Sequence, residues 1–444
     1  MSAQLYYPNT LQPSSLDVHT LSLLEDSILA GIQLIEQNTA PAGSDSHENL
    51  YTGHSGIAWA YCRIWYQLPH LESKIKFEEL IRKHQPRLHR HEHSLHAGKL
   101  SPIGTPTGAA FMGAYTKYIM SDADDGRWEK AMITLEFAVG MACASDEDGG
   151  DEVLYGRAGL LWALLNLQKL DPAVRERMQE WEGGEDIVKV LVQKIIDAGR
   201  RGRIKAKKEH NLNTLMWEWH DKMYLGAMHG AAGILTVLLQ VPRETIEPFL
   251  PEILTEIAAL CHLALENNGL LPSSLGAQHR SNPHVQICHG SPGLVLLLTT
   301  LRQRFPANYN EYAAYSHALH AAAKKVWEQG LVKKGLGICH GVGGNGWVLL
   351  MLAQGCGREE KEKWLGRALA LLVEAGKMPP IGDQAYRKPD APFSLYEGVA
   401  GTLAAWAEAY VVLDGLLDGK NWDEGAMKCL GFVGLGGRGP TGLF

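Results

Sequence analysis

Two short stretches set the side chains that best bind a soft divalent metal next to one another. Ile287-Cys288-His289-Gly290 and Ile338-Cys339-His340-Gly341 each put a thiol beside an imidazole at the head of an apolar run. Thiolate and imidazole are the usual protein donors to zinc. The two cysteines stand 51 positions apart, close to the interval at which a Gly-x-x-Gly turn recurs along the chain. Either cysteine alone reads more readily as a buried apolar thiol, since free cysteine is among the most buried residue types. Their matched context in neighbouring repeats favours a shared metal site. Cys288, Cys339 and His340, or His289 in place of His340, would give zinc three protein ligands and one open position, the arrangement of a catalytic site.

The elements that must bring these residues together are repeats. First glycines of the recurring turn stand at 53, 104, 156, 230, 290, 341 and 398, and an apolar segment follows each. Between them lie segments whose apolar residues recur at three and four positions, the pattern of an amphipathic helix. Each unit therefore reads as an outer amphipathic helix, a glycine turn and an inner apolar helix. Ser15 reads as the cap of the first helix, residues 1–15 as an arm before it, and the 199–210 run as an insertion in the long interval after Gly156. Ala, Leu, Glu and Lys dominate the periodic segments and β-branched alternation is absent, so the expected fold is all-α. Seven helical hairpins closing into an α/α toroid, a double-layered barrel forming one domain over 1–444, fit the nearly continuous apolar inner segments.

Closure in register would bring the residues before each first glycine to one end of the ring. They include Met228-His229, Cys288-His289, Cys339-His340 and Tyr396-Glu397. Composition narrows the partners. A formal charge of −7 argues against nucleic acid and anionic membranes, and the basic run GRRGRIKAKKEH from Gly199 reads as a solvated surface segment. The His-rich stretch 68–96 reads likewise as mostly surface. Seven cysteines, an odd number spread along the chain, fit reduced thiols and a cytoplasmic location, with a nuclear pool also open. No apolar run approaches ~18 residues without a polar break, so no transmembrane segment is expected.

The ICHG and GICHGVGGNGW motifs, the acidic PFSLYEG turn and the seven glycine turns resemble the lanthionine synthetase C-like family over essentially the whole chain. The resemblance implies the toroid, and zinc on Cys288, Cys339 and His340. It also implies one of two activities: peptide cyclisation, in the bacterial members, or addition of glutathione to dehydroalanine and dehydrobutyrine, in the eukaryotic branch. Bacterial cyclases carry arginine and tyrosine where this chain has His284 and His289, so the sequence is more similar to the eukaryotic branch. Lys334 and the run Arg387, Lys388, Pro389, Asp390 match glutathione-contacting positions, and His229 matches a histidine important to cyclisation. The expected function is a zinc-dependent glutathione transferase forming a thioether with dehydrated residues of a peptide or protein. The alternatives are a non-catalytic glutathione-sensing module with a signalling partner, a lanthionine cyclase and, more remotely, a prenyltransferase-like zinc enzyme. Asp151 and Glu152 match an acidic family position only loosely.

Overall fold

The computed structural model describes residues 4–43, 48–88, 95–120, 126–144, 150–181, 186–277, 284–382, 385–419 and 430–435. Outer and inner helices alternate along the chain. α1 (Val18–Asn38) lies outside and α2 (His54–Gln67) inside, followed by α3 (Phe77–His84) outside, α4 (Thr107–Thr116) inside, α5 (Arg127–Ala144) outside and α6 (Arg157–Leu167) inside. The short α7 (Pro172–Gln179) and the long α8 (Ile187–His210), which packs on α6, then precede inner α9 (Ala231–Leu238). Next come α10 (Arg243–Ile246), outer α11 (Leu250–Glu266), inner α12 (Ser291–Arg304), short α13 (Pro306–Glu311) and outer α14 (Ala313–Gln329). Inner α15 (Val342–Gln354), outer α16 (Arg358–Ala375) and inner α17 (Val399–Leu417) complete the described helices.

Residue pattern decides the layer. The outer α1 buries Leu24, Ile28, Ile32 and Ile35, one stripe at helical spacing, and leaves its other face to water. Inner helices α4, α6, α9 and α15 are buried at every residue, as continuously apolar sequences must be. Each inner helix packs against the next, and α17 packs against α2, so the inner layer is a closed ring. Several outer helices pack chiefly on the inner helix before them, as α3 does on α2, α5 on α4 and α16 on α15, while α11 packs mainly on the next outer helix, α14. The packed pair is thus inner then outer, offset by one helix from the unit read in the sequence. α1 covers α17.

A circle of backbone hydrogen bonds joins the turns at one end of the ring. Tyr51 N donates to Ile103 O, Ser101 N to Tyr155 O, Val153 N to Met228 O, and Ala227 N to Ile287 O. Cys288 N donates to Cys339 O, Cys339 N to Tyr396 O, and Tyr396 N back to Tyr51 O. The second glycine of a turn allows this tight folding. A Cβ on Gly56, Gly233 or Gly344 would strike the carbonyl oxygen six residues earlier, of Leu50, Ala227 or Ile338.

Several local expectations are corrected. Asp17, not Ser15, caps α1: its side chain accepts from Thr20 N at 2.8 Å, while the Ser15 carbonyl accepts the Thr20 hydroxyl. The 199–210 run is no separate insertion but the final turns of α8, its charges paired across the surface (Arg200 to Glu252, Lys205 to Glu218). The long interval after Gly156 is filled instead by α7, the 24 residues of α8 and a tight turn at Trp219–Lys222. Within the His-rich stretch His84 is fully buried, because Glu36 (2.8 Å) and His54 (2.9 Å) take its two ring nitrogens. His89, His91 and His93 lie outside the described residues. Three helical stretches, α1, Arg243–Glu266 and α17, are long and apolar enough by composition to cross a membrane, and α17 spends that character on the interior of the ring.

Candidate metal centre and substrate rim

The turns before α12 and α15 deliver the thiols. The Cys288 N–H···O=C Cys339 bond, 3.2 Å long, locks one turn beside the other. Ligand atoms of Cys288, Cys339 and His340 all lie within 4.8 Å of one another, and both cysteines are buried. A single metal ion can bridge such a span, and two sulfurs with one imidazole form a soft donor set of the kind zinc takes. The thiols do not behave alike. The hydrogen bond from Cys288 holds Cys339 well below the usual thiol range against the cost of burial, with His340 and Tyr51 also hydrogen-bonded to it. The same bond, followed by burial, pushes Cys288 up. Burial alone would lower His340, but the Cys339 sulfur outweighs it and raises the imidazole. Such thiolate–imidazolium contacts exchange their protons for a metal ion on binding.

His289 stands apart from this trio. Its ring faces Tyr224 (5.3 Å between centroids), His229 (5.8 Å) and His284 (6.1 Å). Between the two turns the conformational difference sits at the following glycine. Gly290 has φ +118°, in the region that favours glycine, whereas Gly341 is at −112°.

His229, in the turn before α9, faces Glu152 with Nδ1 3.2 Å from Oε2. Glu152 is buried, and its carboxylate accepts the backbone N–H groups of Leu154 (2.8 Å) and Tyr155 (2.5 Å), so it is rigidly held. Burial works against charge on His229, but the Glu152 carboxylate prevails and raises its pKa. Asp151 pairs with Arg157 at 2.8 Å. Of the two adjacent acids, Glu152 is the one that faces His229. Trp219, which sequence reading missed, stacks parallel to His229 at 6.5 Å and on Tyr155 at 5.7 Å. Its presentation depends on His220 and Asp221, both at positive φ (47° and 57°) in a two-residue turn closed by the Trp219–Lys222 bonds. No Asn-Gly marks that turn, so the sequence signal was weak.

The expected glutathione residues gather on the rim. A Cβ on Gly335 would lie 2.8 Å from Pro389 Cγ, so the Lys334-Gly335 turn abuts the 387–390 loop. Lys334, Arg387, Lys388 and Asp390 are exposed and Pro389 is buried. The Lys334 charge acts on both Cys288 and His340. Arg387 and Asp390 bind each other at 2.9 Å. The N-terminal arm docks alongside: Tyr7 N donates to Leu331 O, Lys333 N to Leu5 O, and Lys333 lies over the Tyr7 ring.

Comparison with known proteins agrees with this architecture. Nisin cyclase shares the fold, with a TM-score of 0.55 over 88% of this chain and 94% of that one at 14% identity. "Glutathione S-transferase LANCL1" of Danio rerio is 30% identical over 257 residues, 57% of each protein. "LanC-like protein GCL1" of Arabidopsis thaliana is 29% identical over 286 residues, 62% of this chain and 60% of that protein. The matched stretches thus span less than two thirds of these curated relatives. Residues 44–411 match the family described as lanthionine synthetase C-like protein, and the chain belongs to that family.

Proposed function

We propose that this protein is a zinc enzyme that adds the thiol of glutathione to dehydroalanine or dehydrobutyrine residues of a peptide or protein, forming a thioether. The observation that carries the reading is the convergence at one ring end of Cys288, Cys339 and His340, with the His229–Glu152 pair on one side and the Lys334 rim on the other. Its relatives' names, one a glutathione S-transferase, support the choice of thiol. Zinc on the three ligands would keep a thiol ionised near neutral pH, when the free thiol is mostly protonated.

The chain's own residues do the rest. Lys334 and Arg387 offer cations to the two carboxylates of glutathione, and Asp390 an anion to its ammonium. The exposed Arg387–Asp390 pair yields readily to such a ligand, since surface ion pairs contribute about 0–1 kcal/mol. As the sulfur bonds to the β-carbon of the alkene, the electron pair moves to the α-carbon, which needs a proton. His229, with Nδ1 turned to Glu152, has Nε2 left to deliver it. Water returns a proton to His229, so the net change is addition of S–H across C=C.

The test is mass spectrometry of a dehydroalanine peptide incubated with glutathione. Wild-type protein should yield the glutathione adduct at a rate well above that of Cys339→Ala. Glutathione binding with no excess adduct would replace the enzyme by a binding module, and an internal thioether formed without glutathione would favour a cyclase.

A further inference from the structure

Residues Leu430–Leu435 enter the middle of the ring. Leu430, Phe432 and Val433 are fully buried and Leu435 nearly so. Their partners come from all round the inner layer. Arg63 of α2 donates to Gly431 O at 2.6 Å, and Glu408 of α17 accepts Leu430 N (2.9 Å) and Gly431 N (3.1 Å). Gln67 of α2 donates to Glu408, Gln240 beyond α9 donates to Leu435 O, and Phe432 packs on Trp347 of α15 at 4.9 Å. Arg63 and Glu408 are themselves wholly buried and 3.6 Å apart. Apolar filler would close a hole without burying charge. A buried ionic set fixes instead where the segment sits, one documented use of such groups.

The same segment touches the metal-site turns. Tyr396, the residue whose carbonyl accepts from Cys339 N, donates its hydroxyl to Val433 O at 3.0 Å. The Tyr51 ring stacks on Tyr396 at 4.9 Å, nearly parallel, and the Tyr51 hydroxyl hydrogen-bonds the Cys339 sulfur. Gly434, at φ +80°, has no room for a side chain: a Cβ there would lie 2.5 Å from the Tyr396 hydroxyl and 2.7 Å from Ile103.

We propose that the C-terminal segment is a working part of the thiolate site, a floor that holds Tyr396 and Tyr51 as positioning residues for Cys339. The Tyr51 hydroxyl sets the direction of the Cys339 sulfur, Tyr396 sets the plane of Tyr51, and Val433 and Gly434 set Tyr396. The inference rests on the metal reading above and concerns residues 57 to 288 positions from Cys339 in the chain.

Cobalt(II) uptake tests it, because the sulfur-to-cobalt absorption band reports thiolate geometry separately from stability. Tyr51→Phe keeps the stacking and loses the O–H···S bond. It should shift the band and weaken cobalt binding about 10–100-fold, the effect of removing a group that orients a metal ligand, with little change in Tm. Tyr396→Phe and Gly434→Ala should shift the band in the same sense. Leu319→Ala, in the buried face of outer α14, should lower Tm and leave the band alone. Variants with band and affinity equal to wild type would overturn the floor, as would an equal band shift in Leu319→Ala. Wild-type protein that takes up no cobalt would overturn the metal reading and the floor with it.

Discussion

Turn five and turn six of the ring carry the same four residues, Ile-Cys-His-Gly, and treat their imidazoles differently. In turn six His340 meets the sulfur of Cys339, the residue just before it, and Cys288 reaches across to join them. In turn five His289 turns to an aromatic wall with Tyr224, His229 and His284, and the backbone leaves it through a glycine at φ +118°. Equal sequence in equal repeat positions therefore puts one imidazole among the candidate metal ligands and the other in an aromatic wall. Neighbours account for this. Turn six is flanked by the Tyr51–Tyr396 stack and the Lys334 rim, whereas turn five is flanked by the Trp219 turn and the His229–Glu152 pair.

Breaking the thiol half should have the largest effect. Cys339→Ala is expected to take bound zinc from about one ion per chain to near zero by metal analysis, and adduct formation with it, because the remaining pair cannot hold the ion. His229→Gln acts on the other flank: the rate of adduct formation should fall by about 100-fold or more, the scale of general acid catalysis, with metal content unchanged. Loss of zinc in that variant would erase the division of labour. The two imidazoles are then compared directly. His340→Ala should weaken zinc by more than about 100-fold in competition with a chelator, beyond what loss of a merely orienting partner costs, while His289→Ala leaves affinity within about threefold. Equal losses would make the turns equivalent after all.

Smaller effects sharpen the picture. Glu152→Gln removes the carboxylate that raises His229, so the pH at which His229 loses its proton should drop. Activity that needs the protonated imidazole should then fade at lower pH than in wild type. A pH profile with its alkaline limb unmoved would detach Glu152 from the chemistry. Smallest of all, Lys334→Ala should weaken glutathione about 3–10-fold by calorimetry and spare zinc, since an exposed cation contributes on the order of 1 kcal/mol.

The glycine spacing made the ring legible, and the Cys-His motifs the residues that converge as candidate metal ligands, because periodic burial and donor type are written directly in residue identity. His229 was legible from its place before a first glycine. Glu152 was visible only as one of two adjacent acids, and the choice depended on Arg157 drawing Asp151 away. Trp219 was not legible at all. Its turn uses His220 and Asp221 at positive φ in place of the glycine that usually marks one. Tyr51 stacks on Tyr396 and Phe432 packs on Trp347, contacts between residues far apart in the chain, which no local pattern encodes. The expected helix cap and insertion failed for a different reason: boundary residues compete locally, and Asp17 captured the free amide that Ser15 was expected to bind.

The packing of α1 on α17 has a consequence for how the protein is made. During synthesis the apolar stripe of α1 leaves the ribosome some 380 residues before its partner. At about 5–20 residues per second that stripe waits roughly 20–80 s for its cover. Throughout that interval the nascent chain presents an uncovered greasy surface, the kind of surface that cellular chaperones hold until its partner emerges.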